Sequence, residues 1–126
     1  MLRAFLLVGM GGFAGSAARY AVGLMINRTE PTGFPLATFI INLAGCFLIG
    51  ILSGLAVRNN WMQQDGWLVL ATGFCGGFTT FSTFALEQNN LLSRGAYLTT
   101  VLYAGLSLML GLLLCKAGMW LAGPKP

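Results

Sequence analysis

The sequence predicts an all-α integral membrane protein with four transmembrane helices and a break in the third. Three observations carry that prediction. The chain of 126 residues is 56% hydrophobic and 8% charged, with a mean hydropathy of +0.77, whereas a soluble domain has roughly a quarter of its residues charged. Its apolar residues fall into four blocks, each about the 20 residues that a bilayer-spanning helix needs. Inside the third block stands GFCGGFTTFSTF, residues 73–84. Its Gly-Gly pair and two threonines disfavour a helix, because glycine keeps its backbone freedom and threonine is stiff at its branched Cβ.

The first helix is expected over residues 2–26, closed by a loop over 27–35 that holds Arg28, Glu30, Pro31, Gly33 and Pro35. It is too long for a removable signal peptide, and no small-residue cleavage site stands near its end. The second is expected over 36–57, stopped by Arg58, Asn59 and Asn60. Trp61, Met62 and Trp67 around Asp65 read as an interfacial connection, since tryptophan favours the headgroup level. The third, over 67–92, contains the interrupted run. Ser93, Arg94 and Gly95 make a tight turn, and the fourth helix follows over 96–121, stopped by the tail GPKP. The whole chain, 1–126, is one membrane domain.

Composition also excludes chemistry. Asp65, Glu30 and Glu87 are the carboxylates and histidine is absent, so general acid/base catalysis, triads and histidine metal sites have almost nothing to work with. The chain does not read as an enzyme. The net charge of +4 comes from scattered residues, which suits segment ends near lipid headgroups and gives no footprint for nucleic acid. Cys46, Cys75 and Cys115 sit in apolar segments without metal-ligand spacing and read as small buried hydrophobes.

Four spans put both termini on one side of the bilayer. Arg3, Arg58 and Lys125 lie there, with Lys116 able to snorkel toward it, and Arg28 and Arg94 lie opposite. The positive-inside bias is therefore slight. Two readings stand: one orientation dominates, or the chain inserts both ways and oppositely inserted copies pair about an axis in the membrane plane, as inverted repeats do. Gly11 and Gly15, and Gly50 and Gly54, have GxxxG spacing, which lets helix backbones approach closely where lipid supplies no hydrophobic drive. A packed bundle of this size encloses no wide pore, so a pathway must be narrow or lie between subunits.

In hydrocarbon a broken helix leaves backbone groups without partners. Such a break survives only against protein, a water-filled cavity or an ion. The same run also suits a close helix crossing that uses its small residues for contact. Thr38 and Asn42 share one face of the second helix, and Tyr103 and Ser107 share one face of the fourth. Phe81 and Phe84 stand three apart and can flank one object. The asparagine amide, hydroxyl protons and electropositive ring edges all approach an anion without a buried cation. Arg19, well inside the first span, either attracts an anion toward an entrance while snorkelling to water or anchors its helix on a carbonyl.

These residues resemble a known family. GFCGGFTTFSTF, the segment GSAAR over 15–19, the TFIIN spacing from Thr38 to Asn42, and Tyr103 with Ser107 are similar to the signature of the Fluc (CrcB-like) fluoride channels. The likeness covers essentially the whole chain. It implies an antiparallel, dual-topology homodimer in a bacterial plasma (inner) membrane, two fluoride pathways, and a structural Na⁺ at the dimer interface. By the same resemblance the carbonyls of Gly76 and Thr79 hold the sodium, Phe81 and Phe84 line the pores, Asn42 offers its amide to the ion, and Arg19 stands in the vestibule. Thr38, Thr80, Ser82, Tyr103 and Ser107 belong to the polar surroundings, and Glu87 is a further matching position with no role assigned. One departure is Gly111, where some relatives carry a hydroxyl. The polar track on the fourth helix is then shorter, or water replaces the hydroxyl.

The implied activity is passive, electrically driven efflux of fluoride that protects the cell against fluoride toxicity. Two alternatives come from other classes. A small multidrug-type proton antiporter needs an intramembrane glutamate in its first helix, and this chain has none. A structural or assembly subunit would show no ion flux when reconstituted alone.

Overall fold

The computed structural model describes residues 1–27 and 33–125, so Arg28, Glu30 and Pro31 of the expected first loop lie outside the described residues. The regular structure of the described residues is all helical: α1 (Leu2–Asn27), α2 (Leu36–Ala56), a π-wound helix π1 (Met62–Cys75), a single α turn α3 (Gly76–Phe78), α4 (Phe81–Ser93) and α5 (Tyr97–Ala122). Four segments are long and apolar enough to cross a membrane: Leu2–Asn27, Leu36–Ala56, Met62–Ser93 and Tyr97–Ala122. At 26 residues, α1 and α5 are each roughly 39 Å long at the α-helical rise, more than a hydrocarbon core of about 30 Å requires.

The third spanning segment begins earlier than its apolar run suggests. Asn59 Oδ1 accepts from the backbone N–H groups of Trp61 (2.9 Å) and Met62 (3.3 Å). That satisfies two donors which a helix start leaves orphaned, so winding begins directly after Asn59, at Asn60, and the expected interfacial connection belongs to the third helical segment, with Met62, Asp65 and Trp67 in π1. Gly66 makes room for Trp61, whose ring occupies the place a Cβ there would take. Along π1 the hydrogen bonds reach five residues back, and at its end the Gly76 N–H donates to the Ala71 carbonyl. The Ser93–Arg94–Gly95 turn closes as a Schellman motif. Gly95, at φ 72°, donates its N–H to Leu92 O at 3.0 Å, and Ala96 donates to Leu91 O at 2.9 Å, the left-handed cap that only glycine adopts freely.

Glycine faces join the helices in two pairs. Gly11 and Gly15 are the buried residues of α1. A Cβ on them would lie 1.9 Å from Val69 O and 2.1 Å from Phe74 O, so α1 rests its backbone directly on π1. Gly50 and Gly118 seat α2 on α5 in the same way, with Cβ positions 2.1 Å from Cys115 O and 2.5 Å from Phe47 O. Both GxxxG pairs are thus spent on packing within one chain. Cys75 is buried, as a small hydrophobe would be, but Cys46 and Cys115 are only partly covered. Past the end of α5, Arg58 donates to the Gly123 carbonyl and sets its positive charge against the carbonyl end of that helix.

Candidate functional site

Thr79 and Thr80 lie between α3 and α4 in extended conformation, at φ −81°, ψ 160° and φ −152°, ψ 122°. The paired glycines before them, Gly76 and Gly77, remain helical or cap a helix. In an uninterrupted helix the Thr80 N–H would bond the Gly76 carbonyl and the Thr83 N–H would bond the Thr79 carbonyl. Both amides go elsewhere. Thr80 N–H donates to Asn42 Oδ1 at 2.9 Å, and Asn42 Nδ2 donates back to Thr80 O at 3.0 Å. Thr83 N–H donates to Thr80 Oγ1 at 3.2 Å, the usual arrangement of a threonine N-cap.

Gly45, one turn after Asn42 on α2, completes this corner. A Cβ there would stand 2.0 Å from Thr79 Cγ2, so the glycine makes space for the threonine methyl. Thr79 is held further by its own hydroxyl, which donates to Cys75 O at 2.7 Å. A concavity of about 340 Å³ opens over Asn42, Gly76, Thr79 and Phe81. Nothing lies within 4 Å of a Cβ built on Gly76, and Phe81 is 81% exposed, so this corner faces outward from the single chain.

A second cluster forms one helical turn deeper along α4. Glu87 accepts the Thr38 hydroxyl proton at 2.7 Å through Oε1 and the Tyr103 hydroxyl proton at 2.8 Å through Oε2. Tyr103 is completely buried. The rings of Phe34 and Phe39 meet it nearly edge-on, with centroids 5.3 and 6.2 Å away, and Phe84 lies 4.9 Å from it. Phe81 and Phe84 are 5.9 Å apart and link the outward corner to this core. Ser107, one turn past Tyr103 on α5, has a buried Oγ with no hydrogen-bond partner. A chamber of about 350 Å³ between α1, α2 and α4 is lined by Arg19, Thr38, Thr80, Thr83 and Glu87 among others. Ser82 stands on the exposed side of α4, within 3.3 Å of Thr80 Oγ1.

The site is therefore built of hydroxyls, one carboxamide, ring edges, a carboxylate and main-chain carbonyls. Among the described residues no group of three or more His, Cys, Asp or Glu stands together. A cation held here would draw on neutral oxygens, and Gly76 and Thr79 carry the carbonyls whose helical donors have been diverted. That donor set suits a hard cation such as sodium.

Residues 6–119 match the family model described as CrcB-like protein, Camphor Resistance (CrcB). The chain belongs to the CrcB family. It is 49% identical over 111 residues, 88% of this chain and 89% of the relative, to a protein of Azobacteroides pseudotrichonymphae named fluoride-specific ion channel FluC. A protein of Chlorobaculum tepidum with the same name is 48% identical over 122 residues, 97% of this chain and 96% of that one. A third, from Hyphomonas neptunium, is 43% identical and covered equally well, at 96% of each chain. The matched region takes in every element of the site, from Arg19 on α1 to Ser107 on α5.

Within this CrcB-family chain the fold gathers Arg19, Thr38, Thr80 and Glu87 about one chamber, with Tyr103 bonded to Glu87 and Phe84 packed on Tyr103, and Asn42, Gly76, Thr79, Thr80 and Phe81 about the outward corner. Sequence reasoning missed Thr83 and Gly45. The first was visible as a threonine three residues after a candidate N-cap. The second is a small residue on the Asn42 face of α2, and nothing in the sequence says what it admits.

Proposed function

We propose that this CrcB-family protein is a fluoride channel that lets the anion leave the cell passively down its electrochemical gradient, and that it is not an enzyme. The observation that carries this reading is the nearly full-length similarity to proteins named fluoride-specific ion channels. The plasma (inner) membrane is the expected bacterial location for its four spanning helices.

The chemistry of the site fits the task. Fluoride is small and tightly hydrated, so a narrow path must replace the water it strips. The ring edges of Phe81 and Phe84, the remaining N–H of Asn42 and the unpartnered Ser107 hydroxyl are uncharged donors at successive levels of α4, α2 and α5. Chloride is larger and fits such donors poorly, so size and donor number set selectivity, as in cation filters built from carbonyls. Thr38 and Tyr103 spend their protons on Glu87, so in this reading they form the wall of the path and do not donate to the ion. Arg19 supplies positive charge at the mouth of the chamber.

The conducting unit is an antiparallel homodimer. A single chain leaves Phe81 on its surface and the Gly76 face open, and a second inverted copy would cover both. Gly76 and Thr79 of each copy would hold a sodium ion between them, and the ion, when bound, satisfies main-chain oxygens and adds a positive charge that favours an anion nearby. Fluoride efflux from proteoliposomes, read with an ion-selective electrode against chloride, tests the reading. Fluoride release without chloride release is expected, and a protein that passes neither ion is not a channel.

A further inference from the structure

The corner at Thr79 and Thr80 is shaped by two side-chain groups that accept backbone protons, the Asn42 carboxamide and the Thr80 hydroxyl. We infer that Asn42 and the Thr80 hydroxyl are positioning groups for the cation site: by capturing two amide protons they present the Gly76 and Thr79 carbonyls to a hard monovalent cation. This inference rests on the sodium site proposed above and adds what creates it.

The two captures are separate in space and in chemistry. Asn42 Oδ1 takes the Thr80 N–H at 2.9 Å, the proton that a continuing helix would give to Gly76 O. Thr80 Oγ1 takes the Thr83 N–H at 3.2 Å, the proton that would go to Thr79 O. A carbonyl relieved of its helical donor keeps both lone pairs for a ligand. The Asn42 carboxamide does more, because Nδ2 also donates to Thr80 O at 3.0 Å. The Thr80 peptide is thereby gripped from both sides, and the chain leaves it directly into Phe81. One asparagine thus ties the cation corner to the aromatic pair of the anion path.

Groups that orient metal ligands without binding the metal typically change affinity by about tenfold to a hundredfold when removed. The test is the sodium concentration needed to hold the purified full-length protein as a dimer in detergent, with N-methylglucamine as the replacement cation. Asn42→Leu matches the side chain in shape and removes both bonds. Asn42→Asp keeps the oxygen that accepts the Thr80 N–H. Thr80→Val and Thr80→Ser form the parallel pair for the second capture, the serine keeping Oγ. The leucine and valine variants should need roughly tenfold or more sodium than wild type, while the aspartate and serine variants need no more than about threefold.

Equal sodium midpoints for wild type, Asn42→Leu and Thr80→Val overturn the inference and leave the sodium site standing. Dimer loss that no sodium concentration reverses assigns these residues to packing and also overturns it. A wild-type dimer indifferent to sodium removes the cation site itself, and the inference with it.

Discussion

Glu87 Oε2 receives the hydroxyl proton of Tyr103 at 2.8 Å, and this bond joins α4 to α5 at the one large side chain that is fully enclosed among the described residues. Its other oxygen receives the Thr38 hydroxyl, so a single carboxylate fastens three helices. Replacing Tyr103 by Phe removes one donor and nothing else in shape. The remaining oxygen then sits beside an apolar ring with no proton, which costs about 1–3 kcal/mol. An equilibrium denaturation in SDS micelles should show Tyr103→Phe less stable by that amount, and an unchanged midpoint would mean that the carboxylate finds its protons elsewhere.

Much of this architecture was legible in the sequence, for reasons of length and side-chain size. A bilayer demands about 20 apolar residues per span, so four spans followed from four blocks. GxxxG spacing announced backbone contact, and Gly11, Gly15 and Gly50 make it. The start of π1 was not legible, because Trp61 and Trp67 suit both a headgroup and a first helical turn, and only the bond from Asn59 decides. Asn42 illustrates a different limit. Spacing put it on one face with Thr38, but its partner is a main chain 38 residues away, and no local pattern encodes that pairing. Glu87 was visible as a position matching the family pattern, but not its role, because its two hydroxyl partners lie on other helices.

The ring pair offers a test of the anion path. Phe81 and Phe84 stand 5.9 Å apart and tilted by 34°, close enough to border one small ion between an edge and a neighbour. Isoleucine keeps the apolar volume and removes the electropositive edge. Phe81→Ile and Phe84→Ile should each lower fluoride efflux from liposomes by tenfold or more, taking about 1.4 kcal/mol as the worth of a lost edge contact, with dimer elution unchanged. Wild-type flux in both variants would remove the rings from the path.

Packing can be probed separately from conduction. A methyl added at Gly50 would stand 2.1 Å from the Cys115 carbonyl, whereas one added at Gly105 meets nothing within 4 Å. Gly50→Ala should force α2 off α5 and cost about 1–3 kcal/mol. Gly105→Ala, on an open helix face, should be neutral or slightly stabilising through reduced chain freedom. The two are compared by thermal loss of the folded protein in detergent. Equal stability of the pair would show that α2 and α5 do not rest backbone to backbone.

Ser107 separates stability from flux most sharply. Its Oγ is buried without a partner, although a lone hydroxyl enclosed among apolar groups costs free energy for want of a bond. Glycine at position 111, one turn further, brings no second hydroxyl to it, and the Cβ position there is occupied only at 3.2 Å by Cys46 Sγ. An unfilled hydroxyl kept in such a place fits a group waiting for a transient acceptor, and a passing fluoride is one. Ser107→Ala removes the unsatisfied atom at nearly constant volume, so the folded protein should be as stable as wild type or more stable by up to about 1 kcal/mol. Fluoride efflux should fall severalfold at the same time, because the ion loses a donor at that level. A fall in stability with flux preserved would reverse both expectations and place Ser107 in the packing of α5.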